Sequence, residues 1–182
     1  MILILKSELD NDMSISFTKS GSTIPSIGLG TWELNGSDCS RVVTEALEIG
    51  YRHIDGAAIY ENESQVGSAI INSGVRREDI FLATKINTTG WTPSNGNGPF
   101  LKNTDISKSF EKSLKDLQTD YVDLLLIHWP RFETNLGDML EILYKLKDAK
   151  KVKEVGVANF NSKLLNECID LGFKDIFCNQ VE

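Results

Sequence analysis

These 182 residues predict an α/β fold of the (β/α)8 TIM-barrel type, with about six of its eight strand–helix units and an N-terminal β-hairpin. Three observations carry that expectation. Near-continuous apolar runs such as YVDLLLIHW (121–129) and DIFLATKI (79–86) read as strands buried on both faces, hence parallel and covered by helices. Segments with apolar residues at helical spacing alternate with them, strand then helix, along the chain. Finally, each central strand ends on a group capable of chemistry, and a parallel barrel brings those ends to one mouth. A doubly wound open sheet is the competing architecture. Its first strand-to-helix turn, GLGTWELNGS, does not fit G-x-G-x-x-G and lacks the later acidic partner, which weakens that reading.

Taken in order, residues 1–12 read as a loose leader with Met13 as a candidate start, and 13–182 as one incomplete barrel domain. The opening MILIL is too short for a signal-peptide core and lacks a basic residue before it and a cleavage site after it. SISFT and STIPS flank KSG as a hairpin with Gly21 at its turn. IGLGTW (27–32) is a small-residue strand. In 38–49, Val42, Val43, Ala46, Leu47 and Ile49 share a helical face that Gly50 closes. HIDGAA is the second strand, followed by a helix from Glu63 to Ser73 that Gly74 stops. DIFLATKI is the third. Its long connection, NTTGWTPSNGNGPFLKN (87–103), is expected to be a mobile surface loop, with Trp91 and Phe100 either covering the mouth or standing in solvent. Asp105 caps a helix to Leu117, and 121–129 is the fourth strand, ended by Pro130. A helix over 135–147 precedes the fifth strand, VKEVGVANF (152–160). Asn161 opens another helix, and DIFCNQVE (175–182) is the sixth strand.

Composition narrows the class. The chain is 41% hydrophobic and 25% charged, as ordinary soluble globular domains are. A net charge of −7 argues against nucleic-acid or acidic-membrane partners, which would need a basic patch. No apolar run approaches the ~18 residues of a membrane span. Cys39, Cys168 and Cys178 have no metal-ligand spacing and leave an odd thiol if paired, so they read as small buried residues of a reducing cytoplasm, with no metal site.

The strand ends supply the chemistry. The second ends at Asp55 with Tyr60 just beyond, the third at Lys85, the fourth at His128, the fifth at Asn159 and the sixth at Gln180. Each has a plainer reading alone: a strand-end Asp forms turns, a loop Tyr packs, and a lone His is a satisfied structural residue, which is where His53 is left. An inward Lys85 needs a counter-charge, and Asp55 on the neighbouring strand supplies one. A phenol with a pKa of ~10 is a reluctant acid at neutral pH, and a neighbouring ammonium stabilises its phenolate. His128 would hydrogen-bond the same oxygen that Tyr60 protonates. The set reads as a proton donor for a carbonyl oxygen, worth ~10²–10⁴-fold. Nothing in the chain is a redox centre, so a hydride-carrying cofactor is implied.

IPSIGLGTW, GYRHIDGAAIYENESQVGSAI, FLATKI, YVDLLLIHWP, KVKEVGVANF and CNQVE together resemble the aldo-keto reductase family nearly end to end. The resemblance implies a (β/α)8 barrel closed at its bottom by the N-terminal hairpin, and NADPH-dependent reduction of a small aldehyde or ketone. Tyr60 would be the acid, Asp55 and Lys85 its tuning pair, and His128 the orienting group. Asn159 and Gln180 would hold the cofactor's carboxamide, Thr31 and Asp55 would lie near the cofactor, and Trp32, His128 and Trp129 would line the substrate pocket. Two departures stand out. Ala158 replaces the family's usual Ser, so one carboxamide hydrogen bond, worth ~1 kcal/mol, is either missing or supplied by another group. Related proteins also continue past QVE through two further strand–helix units and a substrate loop. The chain is therefore read as a reductase fragment with impaired cofactor binding, its parent a monomer and its open strand edges prone to self-association. Three rival readings stand beside this one: a cofactor-sensing or regulatory binding module, an inactive truncated fragment, and a metal-dependent barrel hydrolase. No histidine pair at ligand spacing supports the last.

Overall fold

The parallel strands expected from the apolar runs form one six-stranded sheet in the computed structural model, which describes residues 16–19, 22–130 and 135–181. The leader at 1–12, Met13, the Gly21 turn and Glu182 lie outside the described residues. In chain order the elements are β1 (Ser16–Lys19), β2 (Ser22–Pro25), β3 (Leu29–Gly30), α1 (Gly36–Glu48), β4 (His53–Asp55), α2 (Glu63–Asn72), β5 (Phe81–Ile86), β6 (Trp91–Thr92) and β7 (Gly96–Asn97). There follow α3 (Ile106–Asp116), β8 (Val122–Ile127), α4 (Leu136–Asp148), β9 (Val152–Ala158), α5 (Ser162–Asp170) and β10 (Asn179–Gln180). The sheet runs β3–β4–β5–β8–β9–β10, each neighbour parallel, while β1–β2 and β6–β7 are separate antiparallel hairpins. This is an α/β partial barrel, an arc of six strands with helices outside.

Two apolar layers show that the sheet curves. The larger lies between the outer face and the helices: Leu82, Ile86, Leu125, Ile127, Val155 and Val157 pack against residues of α1 to α5. Burying such side chains contributes ~1.5–3 kcal/mol each. The smaller fills the concave face with Phe81, Ala83, Leu124, Leu126, Ala158 and Phe177. The Phe81 and Phe177 rings stack at 6.4 Å, although three strand spacings of ~4.8 Å separate their strands. Contact across that span requires a lumen. Gly156 faces it at a crowded point, where a Cβ would lie 2.6 Å from Leu126 and 2.9 Å from the Cys178 carbonyl. The β1–β2 hairpin lies at the N-terminal end of the strands. Ile24 packs on the inner layer, Ser22 donates to Glu154, and His53 Nδ1 is 3.3 Å from the Pro25 carbonyl.

Several expectations change. Ile49 is 77% exposed, because α1 stops at Glu48 and Gly50, at φ 105°, turns the chain away from the core. Asp105 occupies the N-cap position of α3 without a side-chain cap bond. A 3-10 turn delivers it already in helical conformation, φ −102° and ψ −5°, whereas capping side chains are aimed by extended backbone. Asn135 and Asn161, both extended, do cap, accepting from the amides of Asp138 at 3.2 Å and Leu164 at 3.0 Å. The first and last sheet strands shorten to two residues each, as outer strands pair on one side only. Parallel bonding still reaches back from β10, with Phe177 N donating to the Val155 carbonyl at 2.8 Å. The 87–103 connection is not a featureless loop: it contains the β6–β7 hairpin, turned through Pro93, Ser94 and Asn95, with Gly96 at φ 61°. Cys39 and Cys168 are buried, but Cys178 is half-buried, since it sits beside the last strand on the open side of the lumen. Among the described residues no helix is long and apolar enough to cross a membrane.

Candidate active site

The pleat decides which side chains enter the lumen. Along β5, Phe81 and Ala83 join the inner layer while Leu82 and Ile86 join the outer one, so Lys85 points inward by period two. Thr84, facing out, donates to Glu63 of α2 at 2.6 Å. Leu124 and Leu126 of β8 place His128 on the same inner face, and Ile54 facing outward leaves Asp55 facing inward on β4. Register then staggers the three. Asp55 pairs with Ala83, two residues before Lys85, and Lys85 pairs with Leu126, two before His128. The functional groups therefore climb from strand to strand, as the stagger of a barrel requires.

Lys85 is 2% exposed and makes three hydrogen bonds: to Asp55 Oδ1 at 2.9 Å, Asp55 Oδ2 at 2.8 Å and the Gly56 carbonyl at 2.8 Å. Burial pushes its ammonium below the usual lysine range, and the charge and hydrogen bonds of Asp55 push back. Tyr60 ends a 3-10 turn just after β4. The Lys85 Nζ lies 5.2 Å from its ring centroid, and the His128 ring meets it edge-on at 5.7 Å. His128 is held to about 4, by burial first and then by the Lys85 charge, so it is neutral at neutral pH. Its Nδ1 is buried and finds no hydrogen-bond partner among the described residues. Trp32 packs on Tyr60 at 4.9 Å and Trp129 stacks on His128 at 6.1 Å; both indoles are nearly half exposed, as pocket walls are.

The remaining expected residues are arranged around this centre. Thr31 is fully buried and hooks onto the Asp55 carbonyl through its amide at 3.0 Å and its hydroxyl at 3.2 Å. Asn159, in left-handed backbone at φ 62°, donates to the His128 carbonyl at 3.0 Å. Gln180 stands one strand further along, joined to Asn159 through a 2.8 Å backbone bond and two strands away from β8. Ala158 is buried in the inner layer, where its methyl offers no donor. His53 sits at the opposite end of the strands under the hairpin, its Nδ1 3.3 Å from the Pro25 carbonyl and its ring edge-on to Phe81.

Sequence reasoning missed two contributors. Asn62, 2% exposed, precedes α2 like a helix cap, yet its side chain donates instead to the Thr31 and Leu34 carbonyls at 2.7 and 2.8 Å. Gly56 contributes only its carbonyl, which no side-chain pattern announces. Trp91 of the β6–β7 hairpin, for which the sequence left both a cover over the mouth and solvent open, lies 6.4 Å from Trp32. Among the described residues no cluster could hold a metal ion. The arrangement suits protonation of an oxygen placed between Tyr60 and His128, beside the half-exposed indoles of Trp32 and Trp129.

Comparison with known proteins gives the geometry a lineage. An aldo-keto reductase of Mycolicibacterium smegmatis is 42% identical over 151 residues, which is 82% of this chain and 51% of that protein. Methylglyoxal reductase DkgB of Salmonella typhimurium is 41% identical over 167 residues, 88% of this chain and 57% of that protein. The crystal structure of an aldo/keto reductase from Brucella melitensis superposes with a TM-score of 0.82 at 38% identity, covering 93% of this chain and 63% of that one. The chain thus spans about half the length of the curated relatives it matches. A profile of the Aldo/keto reductase family matches residues 26–182, from just before β3 through all six parallel strands. Fold convergence does not produce agreement of that extent in sequence as well as shape, and the chain belongs to the aldo/keto reductase family.

Proposed function

We propose that the protein is an oxidoreductase that reduces an aldehyde or ketone to the alcohol with NADPH, using Tyr60 as the general acid. The observation that carries this reading is the burial of Lys85 against Asp55, with its ammonium 5.2 Å from the Tyr60 ring. A lysine costs too much to bury for packing alone, and here the charge lies where it would stabilise a phenolate.

When bound, the nicotinamide supplies the hydride that reaches the carbonyl carbon. Asn159 and Gln180, joined by a backbone bond at the ends of β9 and β10, would hold such a group from one side, and Thr31 and Asp55 from the other. Tyr60 gives its phenolic proton to the carbonyl oxygen as the C–H bond forms, which completes the alcohol. The phenolate left behind is stabilised by Lys85 and regains a proton from water. Neutral His128 donates a hydrogen bond to the same oxygen and fixes its direction. Asp55 holds Lys85 in place, and Thr31 holds the Asp55 backbone. Trp32 and Trp129 exclude water from the carbonyl. Similarity to a methylglyoxal reductase makes short oxo-aldehydes the first substrates to try. The free thiols of Cys39, Cys168 and Cys178 support a cytoplasmic setting.

Replacing Tyr60 with Phe keeps the ring contacts and removes the proton. Turnover of a short aldehyde with NADPH should fall ~10²–10⁴-fold. Full activity in that variant would sink the mechanism.

A further inference from the structure

The β6–β7 hairpin carries one half-exposed indole, and its fastenings lead back to the residue after Tyr60. Glu61 has left-handed backbone, φ 56°, which turns its side chain out of the Tyr60 turn. Its carboxylate accepts from the Ser94 amide at 3.0 Å and from the Ser94 hydroxyl at 2.5 Å, at the tip of the hairpin. At the base, Asn87 Nδ2 donates to the Trp91 carbonyl at 2.8 Å, and Gly98 N donates to the Gly90 carbonyl at 3.0 Å. Gly90, at φ 71°, permits that pinch: a Cβ there would lie 2.1 Å from the Pro99 carbonyl oxygen. Thr88, 1% exposed, donates to the Trp129 carbonyl at 2.9 Å. One segment is thereby tied to Tyr60's own turn, to Trp32 through Trp91, and to Trp129 through Thr88.

We propose that Trp91 is a specificity-determining residue and Glu61 its positioning residue, together selecting carbonyl substrates that carry a planar aromatic group. This rests on the carbonyl-reductase reading above. Three indoles, Trp32, Trp91 and Trp129, are 46%, 37% and 41% exposed around one centre, an uncommon degree of exposure for the largest apolar side chain. Trp32 and Trp91 meet at 50° with centroids 6.4 Å apart, an angular arrangement that leaves ring faces open to an incoming aromatic. A short aliphatic aldehyde reaches Tyr60 and His128 without touching Trp91. An aromatic one extends outward along Trp32 and gains the Trp91 face. Glu61 decides whether that face is present, because its two bonds to Ser94 hold the hairpin over Trp32.

The test is the ratio of kcat/KM for 4-nitrobenzaldehyde to that for propanal, measured with NADPH. Trp91→Ala should lower the ratio about fivefold, the worth of one aromatic contact. Glu61→Ala and Gly90→Ala, which loosen the hairpin at tip and neck, should lower it about threefold. Glu61→Gln, which keeps an acceptor for the Ser94 amide, should recover part of the loss. A merely structural Glu61 would depress both substrates equally and leave the ratio alone. An unchanged ratio in Trp91→Ala overturns the proposal, and a fall there without one in Glu61→Ala and Gly90→Ala overturns the positioning role. A protein that reduces neither aldehyde overturns the reductase reading instead. The wall is then judged by benzyl alcohol titration followed at the Trp91 indole N–H resonance: a saturable shift supports it, and a motionless signal overturns it.

Discussion

Two buried carboxylates stand at opposite ends of the strands, and they differ in what holds them. At the N-terminal end, Asp123 is 5% exposed and meets Arg77 at 2.8 Å, Lys153 at 2.8 Å and the Leu82 amide at 3.0 Å. Both cations reach toward solvent, with side chains 19% and 49% exposed, and both lie over the Tyr121 ring, at 4.2 and 4.6 Å. At the C-terminal end, Asp55 faces one cation, and that cation is itself almost fully buried. The first arrangement is a clamp in which every charge has a second outlet. The second has none: if either partner is lost, the other is stranded. Breaking a pair of the second kind costs more than breaking one with outlets, and Tyr60 lies within reach of this one.

The sharpest way to break that comparison is Lys85→Met. It leaves Asp55 buried and uncompensated, and should cost ~3–5 kcal/mol of stability in denaturant titration. Adding Asp55→Asn should recover much of it, whereas purely additive losses would show that the two groups are not a unit.

Acid tests the same end of the barrel. The His128 pKa falls from 6.5 to about 4 on folding, so the unfolded chain binds that proton first. Stability from this group is intact above pH 6.5, is lost as pH falls toward 4 and changes no further below. The loss amounts to ~3 kcal/mol. His53, lowered by burial, acts in the same direction. His128→Asn should flatten the stability–pH curve between 6.5 and 4, and an undiminished slope would mean that the histidine is solvated. The smallest effect belongs to the clamp. Asp123→Asn retains an acceptor for the Leu82 amide and lets Arg77 and Lys153 return to water, so it should cost ~1–2 kcal/mol with kcat unaltered. A larger loss than that of Lys85→Met would invert the comparison.

The sequence made the strand-end chemistry legible because burial on both faces leaves few explanations for polar residues. Lys85 and His128 each followed an apolar run, Asp55 followed a single strand Ile, and parallel topology brought the three together. The helices were equally legible, except where a local turn overrode position, as at Asp105 and Ile49. What stayed hidden were contacts made by groups without a pattern. The Gly56 carbonyl and the diverted Asn62 amide depend on where chains distant in sequence happen to pass. The β6–β7 hairpin was misread because Gly, Asn and Thr look alike in a loose segment and in a tight turn. Only the partners, Glu61 and Trp32, distinguish the two.

The climb of Asp55, Lys85 and His128 through the register has a bearing on how such a strand can change over time. Facing alternates with every residue, so inserting or deleting a single residue before Lys85 would send its ammonium among the aliphatic side chains of the helical layer. Strand β5 can therefore drift in length only by even steps.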